Sequence, residues 1–272
     1  MPMSELLFAT LSLYKDALRG TIISLARGWV TVPAMVAFAA LMLFATKLAA
    51  PLGIAGGFML GAVNALLIGA MLSLIEQAVL SARRLELRDI LGSFGQYFWD
   101  VISVGFVLWV PIMLLDTGLT ANPNGAFLAT AVFLLLFILL NPTPEVIYQV
   151  RHSSPLDVLK TSYEFVIENW IEWFLPLAVV LAPLGLSFFF GLSSVLGRGA
   201  GLDLFQMLAL PFTLLTAWLA YLGLPEGAST LLVFILTPPL AIAIMFFRGH
   251  LFASLYGSSR RQRLFKRRFG SP

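Results

Sequence analysis

Of the 272 residues in this chain, 59% are hydrophobic and only 11% are charged, with a formal net charge of +3. A soluble domain carries about 25% charged residues because its surface must face water, so this composition excludes an ordinary soluble protein and predicts a membrane protein. The chain has no cysteine, which excludes disulfides, thiolate metal sites and cysteine nucleophiles. The only histidines, His152 and His250, offer little for a metal centre, and we expect no metal and no cofactor.

Residues 4–28 predict an amphipathic helix. Apolar residues recur there at steps of three and four, the spacing of one helix face: Leu7, Leu11, Tyr14, Leu18, Ile22 and Leu25. Charged residues such as Lys15 and Arg19 interrupt the segment, whereas a cleavable signal peptide needs an unbroken apolar core. We therefore expect the segment to be retained and to lie in the membrane interface.

Six apolar runs are long enough to cross about 30 Å of hydrocarbon, which takes about 20 residues in a helix. They cover approximately residues 29–49, 53–80, 98–116, 125–142, 170–194 and 229–250. A seventh run, 205–224, contains Pro211. If it also crossed, the basic C-terminal tail would have to be exported, so we interpret this run as re-entrant or interfacial.

The distribution of basic residues predicts the orientation, because Lys and Arg near span ends are retained in the cytoplasm. With six spans and both termini cytoplasmic, Lys47 and Arg198 are the only basic residues outside. Trp29, Trp99 and Trp170 then lie at the cytoplasmic entry of spans, where amphipathic rings prefer the headgroup level. This topology predicts an integral membrane protein with both termini in the cytoplasm.

A short pattern recurs three times: Asp16-Ala17-Leu18, Asp89-Ile90-Leu91 and Asp157-Val158-Leu159 each precede a tryptophan and a long apolar run. The predicted repeats cover about 4–81, 82–150 and 151–256, followed by a tail at 257–272. The predicted fold is therefore an all-α polytopic membrane protein. Its six transmembrane helices form three pseudo-repeated hairpins, each preceded by a cytoplasmic amphipathic interfacial helix. These helices either clamp the hairpins to the bilayer or serve lipid sensing and partner docking.

The second span carries a small residue at every fourth position, which lets another helix approach closely: Gly53, Gly57, Gly61, Ala65 and Gly69. This stripe predicts helix packing, either inside the monomer or between copies. The same span holds a possible intramembrane polar site, Asn64 and Glu76. Glu76 is a proton or cation site, or else it is solvated or paired with a neighbouring arginine such as Arg83 or Arg84. Asn64 is either an interhelical hydrogen-bonding residue or a ligand.

The stretch Ser153–Ser162, followed by Glu168-Asn169-Trp170, resembles a motif of a loose group of bacterial membrane proteins. That group includes the membrane domain found fused to glycerophosphoryl diester phosphodiesterases. The resemblance covers about 20 residues and implies a six-span layout, with a cytoplasmic helix leading into the fifth span. It also implies the bacterial inner membrane as the location. These 272 residues contain no phosphodiesterase domain, so the resemblance implies no catalysis.

The tail predicts contact with anionic lipid at the cytoplasmic face, because clusters of basic residues beside a span attract acidic headgroups. Its basic residues are Arg260, Arg261, Arg263, Lys266, Arg267 and Arg268. A tail held at the membrane makes nucleic acid a poor alternative. The sequence shows no nucleotide-binding or zinc-protease motif, and we predict no catalytic residue. The predicted function is a non-enzymatic accessory or scaffold subunit with other membrane protein subunits as partners. The alternative is a transporter or flippase for a lipid or other apolar compound.

Overall fold

The computed structural model describes residues 3–81, 83–119, 125–181, 219 and 222–256, and every regular element in these ranges is a helix. The elements in chain order are α1 (Met3–Arg27), α2 (Thr31–Ala49), a 3₁₀ turn (Ala50–Leu52), α3 (Ile54–Leu80), α4 (Leu87–Gly92), α5 (Phe98–Leu119), α6 (Gly125–Leu139), α7 (Thr143–Val150), α8 (Pro155–Leu181) and α9 (Glu226–Leu255). The all-α prediction is confirmed for this part of the chain.

Among the described residues, four stretches are long and apolar enough to cross a membrane: Thr31–Leu52, Ile54–Leu80, Ala131–Val150 and Gly227–Leu255. They overlap four of the six predicted spans. The third is displaced toward the C-terminus because α7 extends it past the turn at 140–142. A shorter apolar helix, Phe98–Leu114, covers the predicted span 98–116.

Two other predicted segments lie partly or almost entirely outside the described residues. The predicted span 170–194 is described only as far as Leu181, and almost all of 205–224 is not described. Six spans and three repeats are therefore not established, and these two features stay predictions.

The chain divides into two compact units. The first comprises Met1–Val107, Leu140–Asn169 and Pro238–Pro272, and the second comprises Leu108–Leu139 and Trp170–Thr237. Within the first unit, α3 is the central helix, since it packs along α2 and also contacts α1, α4 and α7. The residues discussed below as a candidate site all belong to this unit.

The tight connection between α2 and α3 depends on glycine. Gly53 has a φ of +55°, a conformation that residues with a Cβ rarely adopt. A Cβ on Gly56 would lie 2.2 Å from the carbonyl oxygen of Ala49, so only glycine allows the start of α3 to approach the end of α2 this closely.

Helix α1 has three faces rather than the two of a simple amphipathic helix. Small side chains, among them Ala17, Thr21 and Ser24, are buried against the protein. The leucine stripe predicted from the sequence is exposed at Leu11 and Leu18, as expected of a face that lies among acyl chains. Charged residues occupy the remaining side. The sequence pattern identified the apolar and charged faces but missed the small-residue face that docks the helix.

The three predicted interfacial segments adopt different structures. The first is a helix of 25 residues, the second is the six-residue α4, and the third is continuous with the following apolar run in the 27-residue α8. Helix α8 begins at Pro155, a position where the missing N–H of proline costs no hydrogen bond. It is interrupted at Asn169, which has non-helical angles (φ −125°, ψ 19°). Asn169 donates a hydrogen bond from its side-chain amide to the carbonyl of Phe165, over 3.1 Å.

Candidate functional site

The carboxylate of Glu76 lies one turn before the end of α3 and is surrounded by hydrogen-bond donors. Its Oε2 accepts a 2.6 Å hydrogen bond from the Tyr97 hydroxyl and a 3.2 Å bond from the side-chain amide of Gln96. Its Oε1 pairs with the guanidinium of Arg151. Tyr97 and Gln96 lie in the turn before α5, and Arg151 follows α7, so this carboxylate ties three parts of the chain together.

Arg151 adopts a left-handed backbone conformation (φ 57°, ψ 59°) at the end of α7. Glycine is the usual residue there, because a Cβ in this region costs roughly 1–2 kcal/mol. Among the described residues Arg151 is the only non-glycine residue with a positive φ. Its guanidinium lies 5.9 Å from the centroid of the Tyr97 ring, within the range of a cation–π interaction. The ion pair and the ring contact offset the backbone strain.

The surroundings of Tyr97 and Arg151 keep these two side chains in one protonation state. Burial, together with the hydrogen bond to Glu76, raises the pKa of the Tyr97 hydroxyl, which therefore stays a donor. The hydrogen bond to Glu76 raises the pKa of Arg151, which stays a cation. The Glu76 carboxylate thus faces a fixed donor and a fixed cation.

A second ion pair joins α7 to α9. The Nε of Arg248 donates to Glu145 Oε1 over 2.8 Å, and its Nη2 donates to Glu145 Oε2 over 2.9 Å. The same Nη2 donates a 2.7 Å bond to the backbone carbonyl of Asn141. The Glu145 side chain is only 5% exposed, and the two-point geometry with an additional acceptor is what a buried pair requires. We call the Glu76–Tyr97–Arg151 cluster and the Glu145–Arg248 pair together the polar clamp.

Further hydrogen bonds hold α9 in place close to the clamp. Gln149 donates from its side-chain amide to the Gly249 carbonyl over 2.9 Å. His250 Nε2 lies 2.9 Å from the hydroxyl of Ser24, which donates to the Ala78 carbonyl over 2.8 Å. The imidazole also lies against Gly20, where a Cβ would be 2.9 Å from the ring. These contacts hold His250, a residue of α9, against α1.

The other histidine, His152, lies 2.8 Å by its Nε2 from the hydroxyl of Thr161 on α8. Among the described residues no group of three His, Asp or Glu side chains could hold a metal ion. Absence of metal and cofactor binding stays a prediction.

The stripe of small residues on α3 divides into two parts. Ala65 and Gly69 are buried, and a Cβ on Gly69 would lie 3.0 Å from the backbone of Tyr97, so this half packs against the turn that carries Tyr97. Gly57 and Gly61 are exposed, and no atom lies within 4 Å of where their Cβ would be. Asn64 is exposed as well.

The predicted site residues are therefore placed unevenly. Glu76 lies in the polar clamp, and its cationic partner is Arg151, 75 positions away, whereas neighbouring Arg83 pairs with Asp89. The six basic residues of the tail predicted to contact anionic lipid lie outside the described residues.

Sequence reasoning missed the pair of Glu145 and Arg248, which are 103 positions apart. A signal for this pair was present in the sequence. Glu145 follows one apolar run and Arg248 lies inside another, and charged residues in such positions need partners in a membrane.

The chain matches no protein-family model, no curated protein and no solved structure. The resemblance around Ser153–Ser162 therefore stays a prediction. Chemically, the polar clamp can hold helix ends together and neutralise carboxylates at low dielectric, and its groups are oriented toward one another.

Proposed function

We propose that this chain is a non-enzymatic protein of the bacterial inner membrane, with both termini cytoplasmic, that serves as an accessory or scaffold subunit of a larger membrane assembly. The observation that carries the proposal is the polar clamp, in which the charged groups at the helix ends are used to fix helices to one another. A subunit whose task is to hold a position needs such fixed contacts more than it needs mobile charge.

The clamp argues against ion-coupled transport as the task. Proton- and sodium-coupled carriers use intramembrane acidic groups that gain and lose a cation during the cycle. Glu76 and Glu145 are each paired with an arginine, which remains charged at all physiological pH values. Each carboxylate therefore already has a permanent cationic partner within the protein.

The orientation is supported by the basic residues that gather at the clamp's end of the first unit. The carbonyl of Arg27, at the end of α1, accepts a hydrogen bond from the N–H of Leu85, directly after Arg83 and Arg84. Arg151 meets the same end of α3 through Glu76. Positive residues at span ends are retained in the cytoplasm. A reporter fused after Pro272 should be active only in its cytoplasmic form, and periplasmic activity would contradict this topology.

The scaffold proposal is tested by purifying the chain in mild detergent and measuring the mass of the intact complexes. We expect at least one other membrane protein in fixed stoichiometry. Purification of the chain alone under every mild condition, with no subunit in fixed ratio, would contradict the proposal.

Gly61→Leu tests whether the partner subunit binds at the exposed part of the α3 stripe. This position is exposed, and no atom lies within 4 Å of where its Cβ would be. We expect unchanged thermal unfolding of the isolated chain together with weaker retention of the partner subunit. Gly105→Leu on α5 is the matched control, since Gly105 is also exposed with nothing within 4 Å. Equal loss of the partner in both variants would place the docking surface elsewhere.

A second candidate is a transporter or flippase for a lipid or other apolar compound, which would need little charge along its path. The break in α8 at Asn169 favours it, because interrupted helices line the substrate pathways of many transporters. Reconstitution of the purified chain into vesicles separates the candidates. Protein-dependent movement of a fluorescent lipid would support the transporter, and its absence together with a stoichiometric partner would support the scaffold.

A further inference from the structure

Three exposed arginines gather where the end of α1 meets the loop between α3 and α4. The N–H of Leu85 donates a 3.0 Å hydrogen bond to the Arg27 carbonyl, and the Leu85 side chain is buried beneath this junction. Arg84 precedes Leu85, and Arg88 follows it on α4; all three arginine side chains are exposed. We call Arg27, Arg84 and Arg88 the basic corner.

The nearest carboxylates do not neutralise the basic corner. Asp89 pairs with Arg83 and also accepts a 2.7 Å hydrogen bond from the N–H of Glu86. Within the part of the chain that the structure describes, no ion pair involves an arginine of the basic corner. With Arg83, Glu86 and Asp89 included, four arginines face two carboxylates, so the local net charge is +2.

Exposed apolar side chains adjoin these arginines. Leu87 and Leu91 on α4 are 60% and 79% exposed, and Trp29 in the turn after α1 is 47% exposed. Leucine side chains that are this exposed are expected to contact acyl chains, and tryptophan prefers the headgroup level. The basic corner therefore lies at the depth of lipid headgroups.

The first half of α8 provides a contrast within the same chain. It exposes apolar residues in the same way, including Leu156 and Ile167. Its exposed charges, however, are Asp157, Lys160, Glu164 and Glu168, a local net charge of −2. Lys160 already lies 3.9 Å from Glu164. This surface suits the bilayer interface but repels acidic headgroups.

We propose that the basic corner binds the phosphate headgroups of anionic phospholipids in the surrounding bilayer, whereas the first half of α8 does not. A guanidinium group can donate two parallel hydrogen bonds to one phosphate. The phosphate of a single lipid can therefore accept hydrogen bonds from one arginine or from two neighbouring ones. Leu87 and Leu91 accept the acyl chains of the same lipid. Because the arginines are exposed, binding weakens with salt.

Brominated lipids test the proposal, since bromine quenches tryptophan only at close range. The full-length protein is reconstituted in phosphatidylcholine containing a fixed fraction of brominated phosphatidylglycerol or of brominated phosphatidylcholine. We expect stronger quenching by the anionic lipid. Trp29→Phe should remove much of that excess, whereas Trp170→Phe, at a tryptophan of α8 that is 60% exposed against 47% for Trp29, should leave it in place.

Neutralising the basic corner should abolish the same excess. Arg27→Gln, Arg84→Gln and Arg88→Gln combined should remove the part of the excess that depends on Trp29, because each arginine contributes about a fivefold preference for the anionic lipid. Arg84→Gln alone gives a milder variant with a proportionally smaller loss. Lys160→Gln is the matched control on α8 and should change nothing. The C-terminal tail is present in every variant, so its contribution cancels.

Two outcomes would overturn the proposal. One is equal quenching of Trp29 by anionic and neutral lipid at low salt. The other is an excess quenching of Trp29 that survives neutralisation of the basic corner, which would mean that charges other than these three arginines attract the anionic lipid.

Discussion

The two ion pairs of the polar clamp use the same chemical groups in different surroundings. In the Glu145–Arg248 pair the carboxylate is 5% and the guanidinium 28% exposed, whereas in the Glu76–Arg151 pair the values are 14% and 59%. The first pair is a buried joint between α7 and α9, and the second is a joint with one face open. The loss of stability on removing one partner therefore depends on which charge remains and on how much solvent reaches that charge.

The largest effect is expected from Arg248→Met, which leaves the Glu145 carboxylate buried without its cation. Removing one partner of a buried pair costs about 3–5 kcal/mol. Thermal unfolding in detergent should therefore fall by about 10 °C, at the 2–4 °C per kcal/mol of a chain this size. The double variant Glu145→Gln/Arg248→Met should recover part of the loss, because no buried charge remains. A double variant no more stable than Arg248→Met would contradict the buried-charge explanation.

Arg151 offers the next largest effect and separates the ion pair from the backbone strain. Arg151→Ala should lose about 1–2 kcal/mol, because Glu76 keeps its Tyr97 and Gln96 donors but loses its cation. Arg151→Gly loses the same ion pair but relieves the left-handed conformation, so it should be about 1 kcal/mol more stable than Arg151→Ala. Equal unfolding temperatures for the two variants would show that the positive φ costs nothing here.

Tyr97→Phe should lower stability by about 1 kcal/mol and also change its dependence on alkaline pH. The folded state raises the pKa of Tyr97 above the ordinary value of about 10. The contribution of the neutral phenol is therefore complete below pH 10 and is lost as the pH rises above it. Unfolding temperatures measured from pH 8 to 11 should fall less steeply in Tyr97→Phe than in the unaltered protein. Parallel curves would mean that this hydroxyl ionises as it does in water.

Glu76→Gln is expected to have the smallest effect of the four. Glutamine still accepts the Tyr97 hydrogen bond, and Arg151 is exposed enough to remain solvated. Expression and unfolding should be nearly unchanged, as should any activity later assigned. Loss of such an activity in a well-folded Glu76→Gln protein would place Glu76 on a proton or ion route. It would contradict the interpretation of the polar clamp as a fixed structural contact.

The residues of the polar clamp show where sequence reasoning stops. Glu76 was identified from its position late in an apolar run, because a charge in lipid needs an explanation. Its partner was expected among the arginines just after the same helix. The structure instead pairs Glu76 with Arg151 and Arg83 with Asp89. Distance along the chain did not predict which cation reaches the carboxylate, since that depends on how α3 and α7 pack.

The stripe on α3 and the faces of α1 show the same limit in apolar contacts. A small residue at every fourth position predicts helix packing, either inside the monomer or between copies. Within the described chain only its Ala65 and Gly69 end is buried, and the closest backbone approach at a described glycine is at Gly56, outside the stripe. On α1 the leucines predicted the lipid face, but the docked face consists of small residues without a periodic apolar signal.

From the sequence, the helical class, the membrane setting and the position of four apolar runs could be predicted. These features follow from local composition and from the length of hydrocarbon that a helix must cross. Only the folded chain shows which charges pair with one another and which half of the glycine stripe is packed. Those outcomes depend on contacts between residues as far as 103 positions apart, and no local pattern encodes which helix faces will meet.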